Sequence, residues 1–184
     1  MVYMAFLLVH IPATLLVDVH ALPSISKALP QSWRLVYDIA LKDDPLLQAA
    51  STPTFAWFRS FLLLEIVFQL PTFIIGAWAL WHGKFQRESF VQQYTDNRWR
   101  MSITDKRTLY PVLTIYGAST ATTTLACIAT LFQLPGLTSQ RLFQLLATYV
   151  PFMLVPLAMA IDFGSRSSNI ISHFDSSAVA RKAQ

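Results

Sequence analysis

Two carboxylic side chains, Asp18 and Glu65, stand inside runs of otherwise apolar residues. A charged group in the hydrocarbon of a bilayer costs at least ~2.5–3.5 kcal/mol, so such groups pair, share a proton or line a cavity. Two close acids in an apolar site do not both ionise. They are expected to hold one proton jointly and to titrate as a unit, with Glu65 as donor and Asp18 as the remaining anion. A single negative charge fixed in a greasy cavity is a counter-ion for a cationic amine. Aromatic faces beside it add cation–π attraction, and Phe58, Phe61 and Phe68 near Glu65, with Tyr149 further on, are available. Gln69 lies one turn beyond Glu65 on the same helix face, where it can hydrogen-bond the glutamate or a ligand hydroxyl. His10, two turns before Asp18, reads as a satisfied bundle residue rather than an acid or base.

The surrounding chain must place these acids. Of 184 residues, 54% are hydrophobic and 13% charged, against about 25% charged in a soluble domain. Met1 to Val17, Ser60 to Trp81, Thr108 to Gln140 and Leu142 to Ile161 carry, among them, the single charge of Glu65. A bilayer core needs ~20 mainly apolar residues per helix. The fold expected is all-α: a single domain over 1–184 built as a four-helix membrane bundle, with spans at about 2–22, 57–81, 109–133 and 142–162. A basic loop at 82–107 and a tail at 163–184 complete it. Nine Lys and Arg in that loop and tail, against five on the opposite side, put both termini in the cytoplasm. The first span reads as an anchor rather than a cleaved leader, since no Lys or Arg precedes its apolar run.

Depth then favours pairing. Asp18 is about four residues from the far end of the first span, or ~6 Å, and Glu65 is eight residues into the second, or ~12 Å from the same side. Both acids fall in one leaflet half, on adjacent helices.

Several other residues set expectations. Leu29, Trp33, Val36, Tyr37 and Ala40 recur at helical spacing and predict a short interfacial helix in the first luminal loop. In Asp44-Pro45 the Asp suits a helix N-cap and the Pro the first helical position, so Asp44 reads as a structural acid. Pro12, Pro71, Pro111, Pro151 and Pro156 fall within spans and predict kinked helices. Gly117, Ala118 and Ala121 lie among hydroxyl residues of the third span and form a packing face that would permit a homodimer. Thr123 of that span is expected to face the cavity. Cys127 is the one cysteine, so no disulfide joins two parts of the chain. No zinc or haem spacing, Gly-rich phosphate loop or basic–aromatic stripe occurs, so neither a metal, a cofactor nor a nucleic acid partner is expected.

One ordered string is specific. His10-Ile11-Pro12, Asp18, Asp44-Pro45-Leu46-Leu47-Gln48, Trp57-Phe58-Arg59-Ser60-Phe61 and Glu65-Ile66-Val67-Phe68-Gln69-Leu70-Pro71 closely resemble the sigma-two receptor family of EXPERA-domain membrane proteins. That family is related to the emopamil-binding sterol isomerases. The resemblance is close over residues 10–71, with Tyr149-Val150-Pro151 a weaker match. It implies four helices in the endoplasmic reticulum membrane and a pocket for sterols or cationic amphiphiles, opening sideways to membrane lipid. It also implies Asp18 as the amine-binding acid, Glu65 as its proton-sharing partner, Gln69 and Tyr149 as pocket lining, and Asp44 as structural. The isomerases place His and Glu one turn apart on the second span, where this chain has Glu65 and Gln69, so a binder rather than an enzyme is expected. The loop at 82–107 is longer and more basic than in the animal receptors, and residue 152 is Phe where they have Tyr. Arg181-Lys182 resembles a dilysine retrieval signal.

Overall fold

The computed structural model describes residues 2–22, 30–50, 52–82 and 106–182. Most of the basic loop, 83–105, lies outside the described residues, as do the side chains of Arg181 and Lys182. Among the described residues the chain is helical, without strands. The first span is helix α1 (Val2–Leu16), which tightens into a 3-10 turn at Asp18–Ala21. Two short helices follow, α2 (Gln31–Asp43) and α3 (Pro45–Ala49). The second span is a 3-10 turn at Pro53–Phe55, helix α4 (Ala56–Leu64), a π-helical turn at Glu65–Gln69, and helix α5 (Leu70–His82). Helices α6 (Lys106–Leu131) and α7 (Ser139–Lys182) form the third and fourth.

Four stretches are long and apolar enough to cross a membrane: Val2–Ala21, Pro53–Trp81, Thr108–Leu131 and Ser139–Ser172. Two features of these spans were not part of the sequence expectation. The first span is not a uniform α-helix to residue 22. Val17 and Val19 are β-branched and flank an Asp that bonds readily to nearby backbone, and all three are weak helix formers. The fourth helix does not stop at 162. Its 44 residues reach about 66 Å at 1.5 Å per residue, against a hydrocarbon core of about 30 Å, so the tail prolongs the helix instead of leaving it. Helices α1, α6 and α7 run on through Pro12, Pro111, Pro151 and Pro156.

The π-helical turn has a local cause. The Leu70 N–H bonds the Glu65 carbonyl, five residues back. Pro71 has no N–H with which to continue the ladder and crowds the carbonyl four residues before it. Widening the preceding turn moves that carbonyl clear, and such widenings recur at functional positions.

Up-and-down topology sorts the core into two ends. Leu7, Phe73, Leu113, Tyr116 and Met159 form one buried cluster, near the chain's N-terminus and the later part of α7. Leu47, Phe58, Leu62, Leu131 and Leu145 form the other, which α2 and α3 cover through Tyr37, Ala40, Leu41 and Leu46. The apolar stripe expected here begins at Leu29, which lies outside the described residues; along α2 it is split. Tyr37, Ala40 and Leu41 pack inward, whereas Trp33, Leu35, Val36 and Ile39 are exposed.

Three contacts hold the covering helices and the bundle. Asp44 Oδ1 accepts the N–H groups of Leu46 (2.8 Å) and Leu47 (3.3 Å), capping α3. Asp44 Oδ2 accepts the Tyr149 hydroxyl at 2.5 Å, which ties that cap to α7. Arg141 Nη2 at the start of α7 meets Asp43 Oδ1 at 2.6 Å and donates to the Asp43 carbonyl at 3.0 Å. Gly117 brings α6 against α7: a Cβ there would overlap the Pro156 carbonyl oxygen and lie 2.8 Å from the Ala160 nitrogen. Gly117 and Ala121 are buried, and with Gly117 set against α7 within the chain, the small-residue face is not all free for a second copy as the sequence had suggested.

Two outcomes are expected from thermal unfolding in detergent. Gly117→Val forces the backbones apart and lowers stability by about 1–3 kcal/mol. Asp44→Ala loses a cap and strands the Tyr149 hydroxyl, costing about 1–3 kcal/mol, whereas Tyr149→Phe costs less because the cap survives.

Candidate functional site

The second end of the bundle holds a partly open cavity of about 350 Å³, within the range of small-molecule sites. Every span contributes to its wall. Asp18 enters from the 3-10 turn closing α1, and Glu65 from the first residue of the π-helical turn. Asp44 comes from the start of α3, Phe61 from α4, Thr123 from α6 and Tyr149 from α7. The rest of the wall is mostly apolar, with Leu47, Phe58, Leu62, Cys127, Leu145 and Phe152 prominent.

Asp18 and Glu65 both line this cavity from adjacent spans, and each is half-buried. Ionised carboxylates only accept hydrogen bonds, so a bond between two carboxyl groups requires that one of them carry a proton. Among the described residues the ion pairs are Arg34 with Asp38, Arg141 with Asp43 and Arg166 with Asp162; none includes Asp18, Glu65 or Asp44. The cavity therefore presents acid oxygen with no cation of the chain paired to it among those residues.

The three acids are not equivalent. Both Asp44 oxygens are engaged, one by backbone N–H groups and one by Tyr149. Tyr149 thus directs its hydroxyl at Asp44 and leaves its ring to the cavity wall. Glu65 Oε1 accepts the Thr14 hydroxyl at 2.5 Å. Asp18 lines the cavity from the end of the first span, and none of the ion pairs among the described residues includes it.

The structure separates the remaining sequence candidates. Gln69 is buried at 3% exposure yet is absent from the cavity wall, and Phe68 is absent as well. Each lies about a turn further along the span than the acid, and Phe68 packs against the cluster at the other end of the bundle. His10 does reach the wall. Its ring stacks on Phe73 at 4.6 Å and 8°, and Tyr116 Oη lies 3.5 Å from its Nδ1. Thr14 was missed. It stands one turn before Asp18 on the same helical face, a spacing that could have marked it. Among the described residues no group of three His, Cys, Asp or Glu side chains could hold a metal ion.

Comparison with known proteins agrees with this architecture. Residues 29–163 match the family described as EBP: EXPERA, the expanded EBP superfamily. The chain is 31% identical over 173 residues to the Efficient mitochondria targeting-associated protein 19 of Saccharomyces cerevisiae, covering 85% of this chain and 92% of that one. It is 30% identical over 171 residues to the Sigma intracellular receptor 2 of Homo sapiens, covering 85% and 81%. The Xenopus tropicalis receptor of the same name is 29% identical over 162 residues, covering 83% and 80%. With four membrane-capable helices and a family match over most of its length, this chain belongs to the EXPERA superfamily.

Proposed function

We propose that this chain is a multi-pass protein of the endoplasmic reticulum membrane that holds a sterol or a cationic amphiphile in its intramembrane cavity. Its role would lie in sterol and lipid homeostasis or trafficking. The observation that carries the proposal is that Asp18 and Glu65 share the wall of a mostly apolar cavity, with no Lys or Arg paired to either among the described residues. One shared proton leaves one negative charge, and Asp18 bears it toward the guest. Phe61 and Tyr149 supply ring faces for a bound ammonium, and Thr123 a hydroxyl. Residence in the endoplasmic reticulum rests on the family resemblance.

Binding without turnover is the reading the site chemistry supports. A sterol double-bond isomerase must protonate an alkene and withdraw a proton elsewhere, which takes a paired acid and base. Where the resemblance implies that branch places His and Glu one turn apart on the second span, this chain has Glu65 and Gln69, and an amide does not shuttle protons. Fold alone does not decide the matter, since one fold carries several functions.

A second reading has its own support. The match to the yeast mitochondria targeting-associated protein spans 92% of that chain. On this reading the protein is an adaptor that aids mitochondrial precursors from the reticulum surface. The two readings part on ligand dependence. If Asp18→Asn abolishes partner capture while no small molecule binds the wild type, the adaptor is the better account.

Amine binding to purified protein tests the first reading. Removing a buried counter-ion costs about 2–5 kcal/mol, so Asp18→Asn is expected to weaken a cationic ligand roughly thirtyfold or more. Glu65→Gln, which removes the acid that shares the proton, is expected to weaken it too. Equal affinity in all three proteins rules the pocket out. Purified wild type is also expected to leave a sterol isomerase substrate unchanged; turnover would restore the enzyme.

A further inference from the structure

The cavity is open at one seam. Of its wall residues only Asp43, the last residue of α2, and Thr148 of α7 are exposed; the others are buried or half-buried. Arg141, Leu145 and Thr148 stand at i, i+4 and i+7 on α7 and so share one face of that helix. Leu145 and Thr148 line the cavity, and Arg141 continues their stripe beyond the wall. Its Nη2 crosses to α2, meeting Asp43 Oδ1 at 2.6 Å and donating to the Asp43 carbonyl oxygen at 3.0 Å. The bridge therefore spans the seam at which the wall is exposed.

Two neighbouring acids fasten the covering helices to α7 in different ways. Asp44 accepts the Tyr149 hydroxyl in part-buried surroundings and caps α3 at the same time. Leu46 and Leu47 anchor α3 in the core at 0% and 6% exposure. That side of the seam is fixed. Asp43 and Arg141 instead keep 68% and 36% of their side chains exposed. Asp43 ends α2, where the negative end of the helix dipole disfavours a carboxylate and the last carbonyls lack intrahelical partners. Arg141 answers both, as a cation and as a donor. An exposed pair of this kind holds its contact by a factor of up to about five, so it closes a seam without locking it.

We propose that the Asp43–Arg141 pair is the latch of a side-chain gate at the mouth of the cavity, with the Asp44–Tyr149 contact as its fixed side. Release of the pair lets the Arg141 side chain swing off the mouth while α3 stays packed, and a small molecule then passes between α2 and α7. The nature of the guest rests on the binding reading given above; the opening of the mouth does not.

Cys127 is the one cysteine of the chain and lines the cavity. Its labelling by a small neutral maleimide, with the full chain in lipid nanodiscs, reports the opening with no ligand present. Asp43→Asn combined with Arg141→Gln removes the pair, leaves no net charge at the mouth and is expected to speed labelling about two- to fivefold. Exchanging the charges, Asp43→Arg with Arg141→Asp, is expected to return the rate toward that of the wild type. Arg166→Gln, which breaks the exposed pair with Asp162 beside the opposite core cluster, is expected to leave the rate unchanged. Amine association and dissociation should both quicken in the uncharged double variant while Kd moves little. An unchanged labelling rate in that variant overturns the gate, as does a charge exchange that fails to slow it. Equal quickening in Arg166→Gln means general loosening and overturns it too. Quickened labelling with unchanged amine rates puts the guest's route elsewhere and overturns the gate as its entrance. Failure of any amine to bind wild type defeats the binding reading alone, since the labelling still decides whether the mouth opens.

Discussion

Hydrocarbon does not tolerate an isolated charge, and the arrangement around Asp18 and Glu65 follows from that constraint. Neither acid is matched by a Lys or Arg among the described residues, and both stand in one cavity wall. A single proton makes the pair possible. On the proposed reading it cancels one charge, lets the two spans' acids bond to one another, and leaves one charge uncancelled. A protein that needed only an interhelical bond could use two neutral side chains and avoid that residue of charge. Retaining it in the wall of a cavity is what gives the site a chemistry.

The helical scaffold serves this pair through several local irregularities. The first span tightens into a 3-10 turn at Asp18, and the second widens into a π-helical turn at Glu65. Each acid thus stands at the first residue of a departure from the α-helix. The widening follows from Pro71, which lacks a donor. The short helices α2 and α3 cover the same end of the bundle, and Asp44 and Arg141 fasten them to α7. Gly117 sets the close approach of α6 and α7, the helices that supply Thr123 and Tyr149 to the wall. At the opposite end of the bundle Phe73 and Tyr116 pack in a buried cluster and contact His10.

Much of this was legible from the residue string, for identifiable reasons. Long apolar runs give spans because length and hydropathy are one-dimensional properties. The shared depth of Asp18 and Glu65 follows from counting along two antiparallel helices. Asp44-Pro45 announces a helix start because the cap and the constrained first residue are adjacent. What was not legible depends on contacts between segments. Thr14 looks like any threonine of a membrane helix until α1 is set against the second span. Gln69 has the right spacing to join Glu65, yet the cavity stops before it. Phe68 was offered as a ligand-facing ring, but neighbouring aliphatic and aromatic side chains of the other cluster claim it. The length of α7 was underestimated because its later residues are polar, and a polar helix extending beyond the hydrocarbon leaves no hydropathy signal.

Calorimetry of amine binding in buffers of different ionisation enthalpy, at a pH where the amine is fully cationic, counts the protons exchanged with solvent. A pair that already holds one proton and one charge should take up the cation with no net exchange, and the heat should be the same in every buffer. A pair that was fully neutral would release a proton, and one that was doubly ionised would take one up. Either buffer dependence would contradict the account of a single shared proton.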